Sequence, residues 1–173
     1  HYVDSLVKRV LDKLKEKGEL ENTLVIITGD HGQEMNDNKL NFWGHNSNFT
    51  RPQVQVPFVL VGPEVNTKEP LTVERVTSHY DVAPTLLKNY LGVSSEIKNY
   101  SIGLDLFAEP IERDWLLVSK YSGYAVLTNN TILEVGATGQ YELLDPTNRE
   151  LKNQSPNFKQ LQQALEQISR FRK

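Results

Sequence analysis

The sequence predicts an α/β fold followed by a small antiparallel sheet with a helix. Three observations predict it. Leu24 to Thr28 and Pro57 to Val61 are unbroken apolar or β-branched runs, the pattern of strands buried on both faces as in a helix-flanked parallel sheet. Helical periodicity precedes the first run and follows the second. Beyond residue 113 the period changes to that of short strands separated by turn residues.

Taken in order, Val3, Leu6, Val7, Val10, Leu11 and Leu14 repeat at three and four, so residues 2–17 form an amphipathic helix. Lys8, Arg9, Asp12, Lys13, Lys15 and Glu16 fill its other face, and Gly18 stops it. The first strand follows and ends at Gly29-Asp30-His31-Gly32. Residues 33–55 are polar and Asn-rich, with Trp43, Gly44, His45 and Pro52, and read as a long loop; loops of that length in a compact domain usually serve function. The second strand comes next, with Pro57 at a position where it removes only one donor. Residues 63–75 read as a loop with a short strand near Leu71–Val73. Val82, Leu86, Leu87, Tyr90 and Leu91 mark a helix of about three turns, with Asp81 as its cap, Pro84 in its first turn and Gly92 at its end. Residues 93–113 are irregular. Trp115–Ser119, Tyr124–Thr128, Thr131–Val135 and Tyr141–Leu144 then form a four-stranded meander through Ser-Gly, Asn-Asn and Ala-Thr-Gly turns. Phe158, Leu161, Leu165 and Ile168 give a C-terminal helix that covers one face of it. The break near 110 divides residues 1–110 from residues 111–173.

The 173 residues are 38% hydrophobic and 24% charged with a formal net charge of -3, an ordinary globular composition. A chain this long buries roughly 70% of its unfolded surface without staples. The basic residues are dispersed, which gives no nucleic-acid patch. The absence of cysteine removes disulfides, thiolate zinc sites and Cys nucleophiles. No apolar run approaches the ~20 residues of a membrane span, and no signal peptide is visible. Sequons at Asn48, Asn99 and Asn129 are of a number that chance supplies. The chain opens on His1-Tyr2 directly inside a helical pattern, which reads as an excised piece of a longer protein.

Chemistry concentrates at Asp30 and His31, a carboxylate and an imidazole where open α/β sheets place their sites. Both are ligands for divalent metals. The flanking glycines permit a sharp turn and close approach of a ligand. The alternative is a polar strand end, with Asp30 bonded to loop amides and His31 solvated. His45 is either a surface histidine beside an aromatic or, if its loop folds back over the strand end, a group for a second metal or a substrate oxyanion. His79, beside Asp81 at a helix start, reads as structural or as support for a ligand set. Ser47, Thr50, Ser78 and Ser119 are hydroxyls without the G-x-S-x-G context of an activated nucleophile. The scattered glycines form no phosphate loop.

The ordered series of a helix, NTLVIITGDHG, a Gly-His loop, VPFVLVGP, SHYDVAPTLL with LGV, and SIGLDLF resembles the C-terminal half of the sulfatase family in the alkaline phosphatase superfamily. GDHG alone is weak; the series in order and spacing is specific. The resemblance covers about residues 1–110, and the four strands and helix that follow are similar to the family's C-terminal subdomain. It implies a partial alkaline-phosphatase-like sandwich. FWGHNSNF and TSHYDVAPTLL are most similar to a group of bacterial inner-membrane proteins with a periplasmic sulfatase-like domain.

The family's enzymes hydrolyse or transfer sulfate and phosphate esters, using a Ser, Thr or modified Cys nucleophile and one or two divalent metals. The resemblance therefore implies Asp30 and His31 as metal ligands, with Mg, Mn, Zn or Ca all open. It implies His45 as a ligand of a second metal or of the transferred group. The nucleophile and remaining acidic ligands lie upstream of what this chain contains, so no catalytic residue is expected within it and the piece itself is expected to be inactive. The partner is a sulfate or phosphate ester or a lipid head group. A second expectation is a non-catalytic module of a membrane-anchored, lipid-binding regulator of lipopolysaccharide or outer-membrane assembly, since fold does not settle function. A calcineurin-like phosphoesterase is rejected: its GD-x-HG is one residue longer, and its D-x-H and G-N-H partners are missing. The assignment leans on a parallel strand delivering Asp30 and His31 side by side. Side chains facing apart, or antiparallel pairing there, would overturn it.

Overall fold

A computed structural model describes residues 1–63, 72, 74–108 and 113–171. The chain divides into two compact units, one of His1–Gly32 with Gln55–Val73, the other of Gln33–Val54 with Glu74–Lys173.

In the first unit, α1 (Tyr2–Glu16) half-buries Val7, Leu11 and Leu14. Its charged side carries the pairs Lys8–Asp12 at 2.6 Å and Lys13–Glu16 at 2.9 Å. The helix ends as expected at Gly18, at φ +69°, where the Gly18 and Glu19 amides turn back to the Lys15 and Leu14 carbonyls. After a 3-10 turn at Leu20–Asn22 comes β1 (Val25–Thr28), which pairs with β4 (Phe58–Val61).

That pairing corrects the sequence reading. β1 and β4 run antiparallel, with Val25 opposite Val61 and Thr28 opposite Phe58. Nor is β1 fully buried: Val25, Ile26 and Ile27 are half-buried and Thr28 is exposed. An unbroken apolar run records that both faces tolerate burial; it carries no information on the direction of the neighbouring strand.

In the second unit, the expected long loop contains structure of its own. β2 (Glu34–Met35) and β3 (Trp43–Gly44) form a minimal hairpin, and α2 (Arg51–Val54) is a single turn. A 3-10 turn at His79–Asp81 leads into α3 (Val82–Asn89), about two turns where three were expected. Asp81 stands at the N-cap position of α3, but its carboxylate completes a capping box with Ser78 instead.

The meander holds within a residue at each end. β5 (Leu116–Lys120), β6 (Gly123–Leu127), β7 (Ile132–Gly136) and β8 (Tyr141–Leu144) form one antiparallel sheet in sequence order. Alternation along the strands sends successive residues to opposite faces. Val126, Leu133 and Leu143 pack with Ala164 of α4 (Phe158–Ser169), the helix expected to cover one face. Ala125, Ile132 and Leu144 pack on the other side against Phe49, with Val54 beside them. The loop that carries His45 therefore supplies the second cover of this sheet.

The short strand expected near Leu71–Val73 and the break near 110 fall on or against residues outside the described set. Among the described residues no helix is long and apolar enough to cross a membrane.

Candidate functional site

β1 ends at Thr28, and Asp30 and His31 follow at once, on the first unit. The two side chains face each other. Asp30 Oδ1 accepts the His31 backbone N–H at 3.0 Å, and Asp30 Oδ2 lies 3.7 Å from His31 Nε2. His31 Nδ1 sits 2.8 Å from the Gly32 carbonyl oxygen. A carbonyl only accepts, so Nδ1 carries the proton and Nε2 carries the lone pair. The Asp30 and His31 side chains are 91% and 43% exposed.

The donors fit a divalent cation. Two ligands about 2.1 Å from a tetrahedral ion stand about 3.4 Å apart, close to the separation found. They make only part of a ligand set: among the described residues no three His, Cys, Asp or Glu side chains gather for a metal.

His45 lies on the second unit, just past β3. Its Nδ1 is 3.3 Å from Gln33 Oε1, which as an acceptor again puts the proton on Nδ1. The chain after it is held from several directions. Asn46, at φ +63°, accepts the Tyr121 N–H at 3.1 Å, and the Ser47 carbonyl accepts from Lys120 Nζ at 3.2 Å. Lys120 also lies 5.0 Å from the centroid of the Phe49 ring. The hairpin turn between β5 and β6 thus grips the histidine loop.

Behind that loop is Glu34, which sequence reasoning missed. It is fully buried, with hydrogen bonds from Asn38, Asn48, Thr50 and Gln53. Burial pushes its carboxyl up, but the hydrogen bonds, that of Gln53 foremost, outweigh it and hold the group below its ordinary value. The signal in the sequence is faint: one acid at the head of a polar segment that returns three side-chain amides and a hydroxyl.

His79 is exposed at the start of its 3-10 turn. The buried charge of that segment is Asp81, 1% exposed and paired with Arg113.

The comparison with known families decides what this chain is. A family profile described as Sulfatase matches residues 1–93. The chain belongs to the sulfatase family. This sulfatase-family chain is 31% identical over 169 residues to "Inner membrane protein YejM" of Salmonella typhimurium, covering 98% of this chain and 28% of that protein. It is 29% identical over 127 residues to the choline-sulfatase of Rhizobium meliloti, covering 72% of this chain and 23% of the enzyme. It spans about a quarter of the length of these relatives. The phosphonate monoester hydrolase of Agrobacterium radiobacter superposes with a TM-score of 0.70 at 22% identity, over 97% of this chain and 38% of the other. That likeness gives the sulfatase-family chain its alkaline-phosphatase-like α/β fold, completed by the four-stranded antiparallel sheet and C-terminal helix. The antiparallel β1–β4 pair overturns the parallel-strand ground on which the sequence reading leaned; family and fold stand instead on the match along the chain.

Proposed function

We propose that this chain supplies part of the metal centre of a sulfatase-type hydrolase or transferase acting on sulfate or phosphate esters. The observation that carries the reading is the 3.7 Å approach of Asp30 Oδ2 to His31 Nε2 at the end of β1. Asp30 and His31 would hold a divalent ion, and His45 would take a second ion or the transferred group. The bound ion supplies Lewis-acid polarisation and a clamp on the ester's non-bridging oxygens. The Gly32 carbonyl keeps the His31 proton on Nδ1, and Gln33 does the same for His45. Sulfatases and alkaline-phosphatase-like proteins are generally divalent-metal dependent, which supports the reading. The nucleophile belongs to sequence outside these residues, so the 173-residue chain alone is inactive. Residues 1–110 are the C-terminal half of the core in this reading, and 111–173 a C-terminal subdomain.

A second reading has its own support in the likeness to an inner membrane protein over 98% of the chain. There the domain is a non-catalytic periplasmic module of a membrane-anchored, lipid-binding regulator of lipopolysaccharide or outer-membrane assembly.

The test is a protein extended to the length of its relatives, assayed on aryl phosphate and aryl sulfate esters with Mg, Mn, Zn or Ca. Metal-dependent turnover that Asp30→Ala removes supports the enzyme. No turnover above background, with Asp30→Ala silent, leaves the module.

A further inference from the structure

Glu34 is a buried anion that the metal pair does not use. Its Oε2 accepts from Asn48 Nδ2 at 2.7 Å, Gln53 Nε2 at 2.7 Å and Thr50 Oγ1 at 3.4 Å, and its Oε1 accepts from Asn38 Nδ2 at 3.1 Å. All four donors are neutral, and no ion pair to Glu34 occurs among the described residues. A buried charge balanced only by amides and a hydroxyl costs more than a neutral group of the same shape.

What the carboxylate gathers explains its presence. Asn38 precedes His45 in the chain; Asn48, Thr50 and Gln53 follow it. Gln53 passes the hold onward: its Oε1 accepts the Ser47 and Asn48 N–H groups at 3.0 and 3.3 Å, and its Nε2 donates to Ser47 Oγ at 2.7 Å. Asn48 Oδ1 in turn accepts the Thr50 N–H and hydroxyl at 2.9 and 2.8 Å. Across the hairpin Glu34 stands opposite Gly44, next to His45. Adjacent residues thus bracket the histidine: Gln33, just before β2, takes its ring and Glu34, the first residue of β2, the chain that follows it.

We propose that Glu34 is a positioning residue for His45, its buried carboxylate setting the path of residues 46–50 and so the aim of the imidazole held by Gln33. The proposal rests on the functional reading only in giving that aim a chemical use.

The experiment has two arms. In the 15N-labelled 173-residue chain, long-range proton–nitrogen spectra read the tautomer of each imidazole. The wild type shows His45 with its proton on Nδ1. Glu34→Gln, and separately Gln53→Met, which leaves the carboxylate in place, shift His45 toward a two-tautomer average. His31 and His79, and the amides of β5 to β8, stay unmoved. In the relative-length protein, Glu34→Gln lowers kcat by about 10- to 100-fold with KM little changed. An unaltered His45 pattern in either folded variant overturns the proposal. If the wild-type protein turns nothing over, the functional reading fails while the spectra still decide Glu34. If it turns over and Glu34→Gln alters neither the ring nor kcat, the positioning role fails and the functional reading stands.

Discussion

Arg113 holds Asp81 with both arms of its guanidinium, Nη1 to Oδ2 at 3.0 Å and Nη2 to Oδ1 at 2.6 Å, with the side chains 10% and 2% exposed. The backbone N–H groups of Ser78 and Leu104 complete the carboxylate's shell, each at 2.8 Å. A two-pronged pair of this kind is geometrically specific as well as strong. Through it the segment that closes 3-10 turn His79–Asp81 is tied to the residues that lead into β5.

Removing one member strands a buried charge. Arg113→Ala is expected to cost about 3–5 kcal/mol in urea unfolding, and Arg113→Lys less, because an ammonium keeps the charge but loses the fork. A loss for Arg113→Ala no larger than the ~1 kcal/mol of an exposed pair would contradict this account of Asp81.

Gly103 is the next point of tension. A methyl group there would overlap the Tyr80 carbonyl, one residue from Asp81. Since Leu104 donates to Asp81, the backbone cannot shift freely to make room. Gly103→Ala should therefore lower stability by about 1–3 kcal/mol, read as a fall in Tm by calorimetry. An unchanged Tm would mean that this close approach is relieved at no cost.

Glu34 and Asp105 give stability a signed pH dependence. Burial pushes Asp105 up, but the Phe107 N–H, the Lys88 ammonium and the Asn89 amide outweigh it and hold the carboxyl low. Glu34 is held low in the same way by its neutral donors. In the unfolded chain both return to ordinary values near pH 4 and bind protons more readily. Their contribution is therefore fully present above that range and is lost as pH falls through the folded values. The urea midpoint should stay level from neutrality to about pH 5 and fall below it, with a shallower acid decline in Glu34→Gln. An acid decline identical in that variant would remove Glu34 from the explanation.

Much of this architecture was legible in the residues. The meander could be read because Asn129-Asn130 and the Ala-Thr-Gly turn punctuate short strands whose alternation is local. Helices α1 and α4 could be read because their apolar stripes repeat at three and four. The direction of β1 could not, since pairing is a relation between distant segments and Leu24 to Thr28 would look the same in either sense. The second cover of the small sheet was hidden for a similar reason: Phe49 stands among the polar residues Asn46, Ser47, Asn48 and Thr50, and only the fold sets it against Ala125 and Ile132. Asp30 and His31 stood out by their place after an apolar strand. Glu34 did not, because its value lies in four partners up to nineteen residues away.

The central claim is that Asp30 and His31 together take one divalent ion. Titrating Mn2+ into the 15N-labelled protein extended to the length of its relatives, where the ligand set is complete, tests it most directly, since the ion's unpaired electrons broaden nearby amide signals. Selective broadening at residues 30–32, abolished by Asp30→Ala, is the result the account predicts. Broadening that is absent there, or that persists unchanged in Asp30→Ala, would contradict it.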